Sequence, residues 1–521
     1  MRSMKKNYKE KFINIIMPSL VFGFITGVLT AIVITLYKFV AEKVIALSHL
    51  VYQNAQCEWY VSAIAAIIIL ALAFVVAKVY VLSPNLKGGG IPTSIGILRG
   101  NIRFSWFKNL IGTFILSLTN FLIGVPLGNE GPSVQMGTAI GKGSALIQKR
   151  HRAWDRYSMT GGACAGFAVA TGASVAGIMF AVEEGHQRIS PMIILVSTIT
   201  VIFARITTEL LSPVFGVSVL LFPEMELISL SVQDIWLSIL IGLVMGFFAV
   251  GFLYLYKGIK KLIKVKLTKI PHTYKIFCVY LLCFVAGIIN INFVSTGHEL
   301  ILSLFLDRPE ILILLAIIIV RSTLTLCANT TSLTGGIFLP ILAIGASLSS
   351  LTALGVTKIF LLDDSYYTIA LVLGITACIS GMMKMPITAI VFALETLTFG
   401  QNVLAVITVS AVAYLITELF NAKSINDSVL EAKLEKNSQK EKVIDAYVTV
   451  KQKSFAVGKQ IRDILWPANT FVLSVERENT EEMDEHGAKT LNAGDLLHVR
   501  YSTMNEDITK EELFSIVGEQ E

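Results

Sequence analysis

Gly128-Asn129-Glu130-Gly131-Pro132-Ser133 places a single carboxylate at the end of an uncharged run: residues 109–129 carry no Asp, Glu, Lys or Arg. Small residues follow it, at Ser133, Gly137, Thr138, Ala139 and Gly141. An ionisable group at membrane depth is costly and marks a functional position. Glycine just before Glu130 and proline within the first turn predict a helix that starts inside the membrane. Such a start presents unpaired N–H groups and the positive end of the helix dipole, and both attract anions. The stretch therefore reads as an anion pathway with a carboxylate standing in it.

The surrounding chain supports a membrane setting. Its 521 residues are 54% hydrophobic and 15% charged, with a mean hydropathy of +0.69. Soluble proteins carry roughly 25% charged residues, so the composition indicates a polytopic membrane protein. Six cysteines (57, 164, 278, 283, 327, 378) fall singly, with no CxxC pair or His cluster. No metal site, disulfide framework or cofactor motif is indicated, and no nucleophile–base pair suggests an enzyme. The net charge is +6, but the basic residues lie at membrane flanks, so nucleic acid is not implied. Arg2, Lys5, Lys6, Lys9 and Lys11 precede the uncharged run 12–37. That run is too long for a signal-peptide core and reads as a first spanning helix with a cytoplasmic N-terminus. The clusters Lys149, Arg150, Arg152, Arg156 and Lys257, Lys260, Lys261, Lys264, Lys266, Lys269, Lys275 are likewise expected on the cytoplasmic side.

Further uncharged runs occur at 59–77, 157–182, 189–204, 235–256, 276–298, 322–357, 365–383 and 396–417. Several match the ~20 residues that cross a bilayer. The run 322–357 is too long for one span and 385–394 too short. Internal Gly, Pro, Ser and Thr predict broken helices, which survive in lipid only where their backbone lines a cavity or is buried in protein. There is also a repeat. Ser174–Glu183 (SVAGIMFAVE) matches Pro386–Glu395 (PITAIVFALE) at an offset of 212, so that Glu183 recurs as Glu395. Gly131-Pro132…Gly137 matches Leu339-Pro340…Gly345 at an offset of 208. A duplicated membrane unit with halves near 12–215 and 232–430 follows.

Beyond residue 430 the character changes. Residues 431–443 are charged and helix-prone, a linker. Short alternating segments at Ala446–Val450, Phe471–Val475 and Leu496–Val499 follow, with turn signals at Gly458, Trp466-Pro467 and Asn492-Ala493-Gly494-Asp495. Residues 444–521 are expected to form a small cytoplasmic α/β domain after a transport domain spanning 1–430.

Gly88-Gly89-Gly90-Ile91-Pro92, Gly128-Asn129-Glu130-Gly131-Pro132 and Gly335-Gly336-Ile337-Phe338-Leu339-Pro340 resemble the three anion-selectivity signatures of the CLC family of chloride channels and anion/proton antiporters. The block Phe180-Ala181-Val182-Glu183-Glu184 matches as well, and the resemblance covers roughly residues 12–432. It implies an all-α polytopic fold of two inverted repeats with re-entrant helices. It also implies a homodimer with one pore per subunit, in which helix N-termini converge on a dehydrated anion. The C-terminal segment resembles the TrkA-C regulatory domain of potassium-transport regulators, which makes a small ligand or ion there an expectation. A bacterial plasma membrane with both termini cytoplasmic completes the expected setting.

Residue by residue, the resemblance makes Glu130 the gate and the coupling carboxylate. Glu184 becomes the inner proton relay. Gly89, Gly90, Ile91, Pro92, Asn129, Gly131, Ile337, Phe338 and Asn426 become candidate walls of the anion site, with Ile337 and Phe338 contributing backbone N–H groups. His186 is a candidate proton shuttle or a loop residue. Three positions depart from the family pattern: Gly89 replaces a common serine, Asn129 an arginine and Asn426 a tyrosine. Exchange of chloride for protons is the expected function. A passive chloride channel and a fluoride/proton antiporter are the alternatives, because loss of the serine and tyrosine is associated with the fluoride branch.

Overall fold

The structure, a computed structural model, describes residues 12–519 apart from 89, 149–150, 225–226, 267–268, 399, 435–441, 478–479, 484–486 and 504–505. The basic N-terminus, Gly89, Lys149, Arg150 and most of the expected linker lie outside the described residues. The first half contains α1 (Met17–Cys57), α2 (Trp59–Leu82), α3 (Ile91–Leu98), α4 (Trp106–Leu122), α5 (Glu130–Gln148), α6 (Trp154–Thr171), α7 (Ser174–Phe180) and α8 (Pro191–Phe215). The second contains α9 (Ile235–Lys266), α10 (His272–Ile289), α11 (His298–Leu306), α12 (Ile311–Thr330), α13 (Phe338–Phe360), α14 (Ser365–Cys378), α15 (Pro386–Thr396), α16 (Val403–Leu419) and α17 (Ile425–Leu434). Among the described residues, 8 helices are long and apolar enough to cross a membrane. The polytopic helical fold expected from composition is the one observed.

The long uncharged runs break at identifiable places. The run 157–182 is cut at Gly172, whose φ of 79° ends α6 in a left-handed cap. The run 322–357 is cut between Thr330 and Phe338. The second cut leaves α12 and α13, and Thr331 and Phe338 on either side of it are buried. The small residues after Glu130 serve packing: a Cβ on Gly137, Gly141, Gly162 or Gly166 would collide with the backbone of the facing helix in the α5–α6 pair. The first helix runs on past the charge boundary at Lys38 to Cys57. It can do so because the Lys38 ammonium, 6% exposed, donates to Ser218 O (3.0 Å) and Val169 O (3.4 Å).

The repeat is visible as an exchange of caps. Both oxygens of Glu183, just past α7, accept from the first amides of α15, Ile387 N (3.0 Å) and Thr388 N (2.7 Å). Glu395 near the end of α15 returns the arrangement, accepting from Val175 N and Ala176 N of α7, both at 2.9 Å. Each carboxylate satisfies two orphan donors at the positive end of the other helix. Glu183 thus serves as a helix cap.

After α17 the chain forms β1 (Lys442–Thr449), β2 (Thr470–Arg477), β3 (Thr480–Met483) and β4 (Leu496–Thr503), then α18 (Glu506–Val517). The sheet is antiparallel in the order β1-β4-β2-β3. Sequence alternation anticipates β1, β2 and β4 but not β3, whose Thr-Glu-Glu-Met has no apolar alternation and pairs only along the edge of β2. This tail packs directly on the membrane part. Phe455 meets Trp154 edge-on at 5.6 Å, and the Tyr157 hydroxyl accepts from Leu465 N (2.7 Å) and donates to Asp463 O (3.0 Å).

Candidate functional site

Three helices begin at one place. Helix α3 starts after Gly90, α5 starts at Glu130 and α13 starts at Phe338 with Ile337 as its N-cap. Each carries proline in its first turn, at Pro92, Pro132 and Pro340. Proline has no N–H and so loses nothing at a position where that group would be orphaned. The first ladder bonds are Ser94 N to Gly90 O, Ser133 N to Asn129 O and Ile341 N to Ile337 O. The amides of Ile91 and Thr93, Glu130 and Gly131, and Phe338 and Leu339 precede these ladders and are the free positive ends of the three dipoles.

Backbone contact holds the starts together. Gly128 and Gly336 form an isolated antiparallel bridge, with Gly128 N to Gly336 O at 2.6 Å and Gly336 N to Gly128 O at 2.9 Å. A Cβ on Gly131 would stand 2.6 Å from Gly336 Cα. A Cβ on Gly90 would stand 3.2 Å from Gly131 Cα, and Gly90 itself has a φ of 105°, which an L side chain rarely adopts. Of the glycines expected as anion-site walls, Gly90 and Gly131 lie in this close contact, and Gly131 meets Gly336 of the second half.

Glu130 is fully buried. Its carboxylate lies in the notch between Gly128 and Leu339, where a Cβ on Gly128 would collide with Oε2. It faces the amides of Glu130 and Leu339, outside hydrogen-bonding geometry, and neither oxygen has a partner. A buried carboxylate with no hydrogen bond, set against a helix N-terminus, occupies the position an anion would prefer. Phe338 and Ile337 are buried at the opposite start. The Phe338 ring packs edge-on against Phe167 (5.3 Å) and Phe392 (5.4 Å), tying α13 to α6 and α15.

Glu184 is 2% exposed, in the π-turn Ala181–Gly185 that follows α7. Arg99, just past α3, donates to Glu184 O (2.9 Å) and Gly185 O (3.1 Å) and faces Asp427 at 3.6 Å. Asn426, fully buried, lies against the Glu184 carboxyl outside hydrogen-bonding geometry, and both its side-chain polar atoms are unpartnered. The structure thus groups Asn426 with Glu184. His186 Nε2 lies 2.8 Å from Thr160 Oγ1. The Asn129 carbonyl accepts from Ser133, while its Oδ1 has no partner.

Two participants escaped the sequence reading. Gln135, fully buried on α5, accepts from Gly90 N and donates to Asn109 Oδ1 (2.9 Å), fixing the start of α3 against α5. Its only sequence signal is a polar side chain inside an apolar run, shortly after Glu130. Lys38 is a cation whose field reaches the Glu130 carboxylate. Nothing local in the sequence connects the two. Among the described residues no group of three metal-ligating side chains occurs.

Comparison with known proteins agrees with this geometry. The sequence profile of the family described as "Voltage gated chloride channel" matches residues 68–418. The "H(+)/Cl(-) exchange transporter ClcA" of Klebsiella pneumoniae (strain 342) is 27% identical over 388 residues, covering 73% of this chain and 81% of its own. That of Yersinia pseudotuberculosis serotype O:3 (strain YPIII) is 26% identical over 472 residues, covering 88% and 95%. Among solved structures, a slow cyanobacterial Cl⁻/H⁺ antiporter superposes with a TM-score of 0.73 at 22% identity, over 81% of this chain and 99% of that one. A CLC-type fluoride/proton antiporter gives a TM-score of 0.64 at 19% identity, over 78% and 96%. With a family match across more than half of its length, the chain belongs to the voltage gated chloride channel family.

Proposed function

We propose that this chain is a transporter, not an enzyme, and exchanges chloride for protons across a membrane. Glu130 acts as both gate and proton carrier. The observation that carries the reading is the Glu130 carboxylate, buried and unpartnered where three helix starts meet. A carboxylate and a chloride ion at one low-dielectric site repel strongly, so they exclude each other. Protonation removes the charge and frees the site, which couples anion occupancy to proton binding. Glu184 is the relay on the other side, with Asn426 beside it. Relatives named H(+)/Cl(-) exchange transporters support the same reading.

The test is reconstitution into liposomes under a chloride gradient with a weakly buffered lumen. Chloride movement should drive an opposite proton flux. Chloride flux with no pH change, and a reversal potential indifferent to pH, would make the protein a passive channel instead. Fluoride/proton exchange is the second reading, favoured by Asn426 in place of a tyrosine. Uptake compared for chloride, fluoride and nitrate separates the two.

The remaining parts follow from this reading. Residues 1–430 form the transport domain, with Gly90, Ile91, Pro92, Gly131, Ile337 and Phe338 walling the anion site. Residues 444–521 form a TrkA-C-like regulatory domain able to take a small ligand or ion. The working unit is a homodimer in a bacterial plasma membrane, with both termini cytoplasmic.

A further inference from the structure

Helix α18 of the tail lies against the loop after α3 and the turn between α5 and α6, and a cavity of about 320 Å³ opens between them. That volume is within the ~300–1,000 Å³ of small-ligand sites. Among the described residues four cations line it, Arg103, Lys142, Arg152 and Arg156, against three carboxylates, Asp155, Glu511 and Glu512. The cations and Asp155 come from the membrane part; both glutamates come from the tail. Glu511 accepts from Arg152 Nη1 (2.7 Å) and Arg103 Nη2 (3.0 Å), one N–H from each guanidinium. Glu512 approaches Arg156 only to 3.4 Å, and its Oε2 has no hydrogen-bond partner. A guanidinium carries five N–H donors. The cluster therefore has more donor capacity than the tail's carboxylates take up.

We propose that this cavity binds a small phosphate-bearing anion, which competes with Glu511 and Glu512 for Arg103, Arg152 and Arg156. A phosphate presents more oxygens than a carboxylate and pairs bidentately with arginine. Phe104 and Phe455 give the cavity an apolar wall for the rest of the ligand. Occupancy has a route to the transport part. Arg156, buried, also donates Nε and Nη2 to Leu98 O (3.1 and 2.8 Å) and Nη1 to Leu465 O of the tail (3.3 Å). Leu98 ends α3, the eight-residue helix whose other end is Gly90-Ile91-Pro92. Displacing Glu512 loosens the tail's hold on that helix. The phosphate can belong to a soluble compound or to a lipid headgroup.

The test is binding of inorganic pyrophosphate to the purified full-length protein in nanodiscs of neutral lipid, which needs no transport assay. Arg103 and Arg152 side chains are 64% and 60% exposed, so R103Q/R152Q should fold. Affinity should fall at least 10-fold in R103Q/R152Q and rise at least 3-fold in E511Q/E512Q, where the competing carboxylates are neutral. Hydrogen exchange of residues 506–517 should increase when pyrophosphate binds. Anionic-lipid nanodiscs identify the source: competition with pyrophosphate assigns the site to a headgroup, and indifference assigns it to a soluble ligand. Absence of saturable binding, binding indifferent to R103Q/R152Q, or slower exchange in 506–517 would each overturn the proposal.

Discussion

Helices α5 and α13 enter the site from the two halves in the same way and carry different first residues. Each begins two residues before a proline, and the loops ahead of them pair through Gly128 and Gly336. One begins with Glu130, the other with Phe338. The repeat elsewhere keeps its glutamates: Glu183 and Glu395 correspond and cap each other's helices. At the same offset of 212, the position matching Glu184 is Thr396, whose hydroxyl bonds its own helix at Phe392 O (2.7 Å). Glu183 and Glu395, half-buried and matched to each other, hold the scaffold. Glu130 and Glu184, both buried, have no glutamate counterpart, as the proposed coupling role requires. A duplicated unit can build a symmetric cradle of helix N-termini. Coupling an anion to a proton requires something that breaks that symmetry.

Four measurements bear on that division. Glu130→Gln should lower proton flux ~100-fold or more while anions still pass, because the carrier can no longer ionise. Proton flux unchanged in this variant would remove Glu130 from the unpaired class. Glu184→Gln should reduce proton flux ~10-fold or more, again with anion flux retained, as read in the same liposomes. An equal loss of both ions would assign Glu184 to the scaffold.

Glu183→Ala and Glu395→Ala should act alike, each costing about 2 kcal/mol for two charged cap bonds. Thermal unfolding in detergent measures the loss, and the proton-to-anion ratio should not move. A changed ratio would break the rule that paired glutamates are structural. The smallest effect is a control from the tail. Burial lowers the Lys459 ammonium from its ordinary value to about 8, beside the Phe455 ring and carbonyl. The folded tail then binds fewer protons than the unfolded one between pH 8 and the ordinary lysine value. Its stability should rise over that window, by at most about 3 kcal/mol. Lys459→Met should flatten this slope with no effect on coupling, as chemical denaturation of the tail against pH would detect.

Much of this was legible in the sequence. Glycine–proline punctuation marked the start of α5, because φ restriction and orphan N–H groups are local properties, while the motifs at the starts of α3 and α13 were read through the family resemblance. The uncharged runs located the spans, and the repeat was readable from two blocks. The limits came where one residue's meaning depended on a distant one. Lys38 reads as the end of the first span and is instead carried within it by two carbonyls far along the chain. Gln135 reads as a stray polar residue and fixes the start of α3. Strand β3 has no pattern of its own and exists by pairing with β2.

The sequence by itself determined the membrane class, the duplicated architecture and the single carboxylate at a buried helix start. These depend on composition, on neighbours a few residues away and on the cost of charge in lipid. Only the tertiary structure decided that the two halves meet through Gly128 and Gly336, that Glu183 and Glu395 exchange caps, that Asn426 stands beside Glu184, and that α18 rests at the end of α3. Those contacts join residues a hundred or more positions apart. Closing the chain creates them, and no local spacing encodes which amide a distant carboxylate will find.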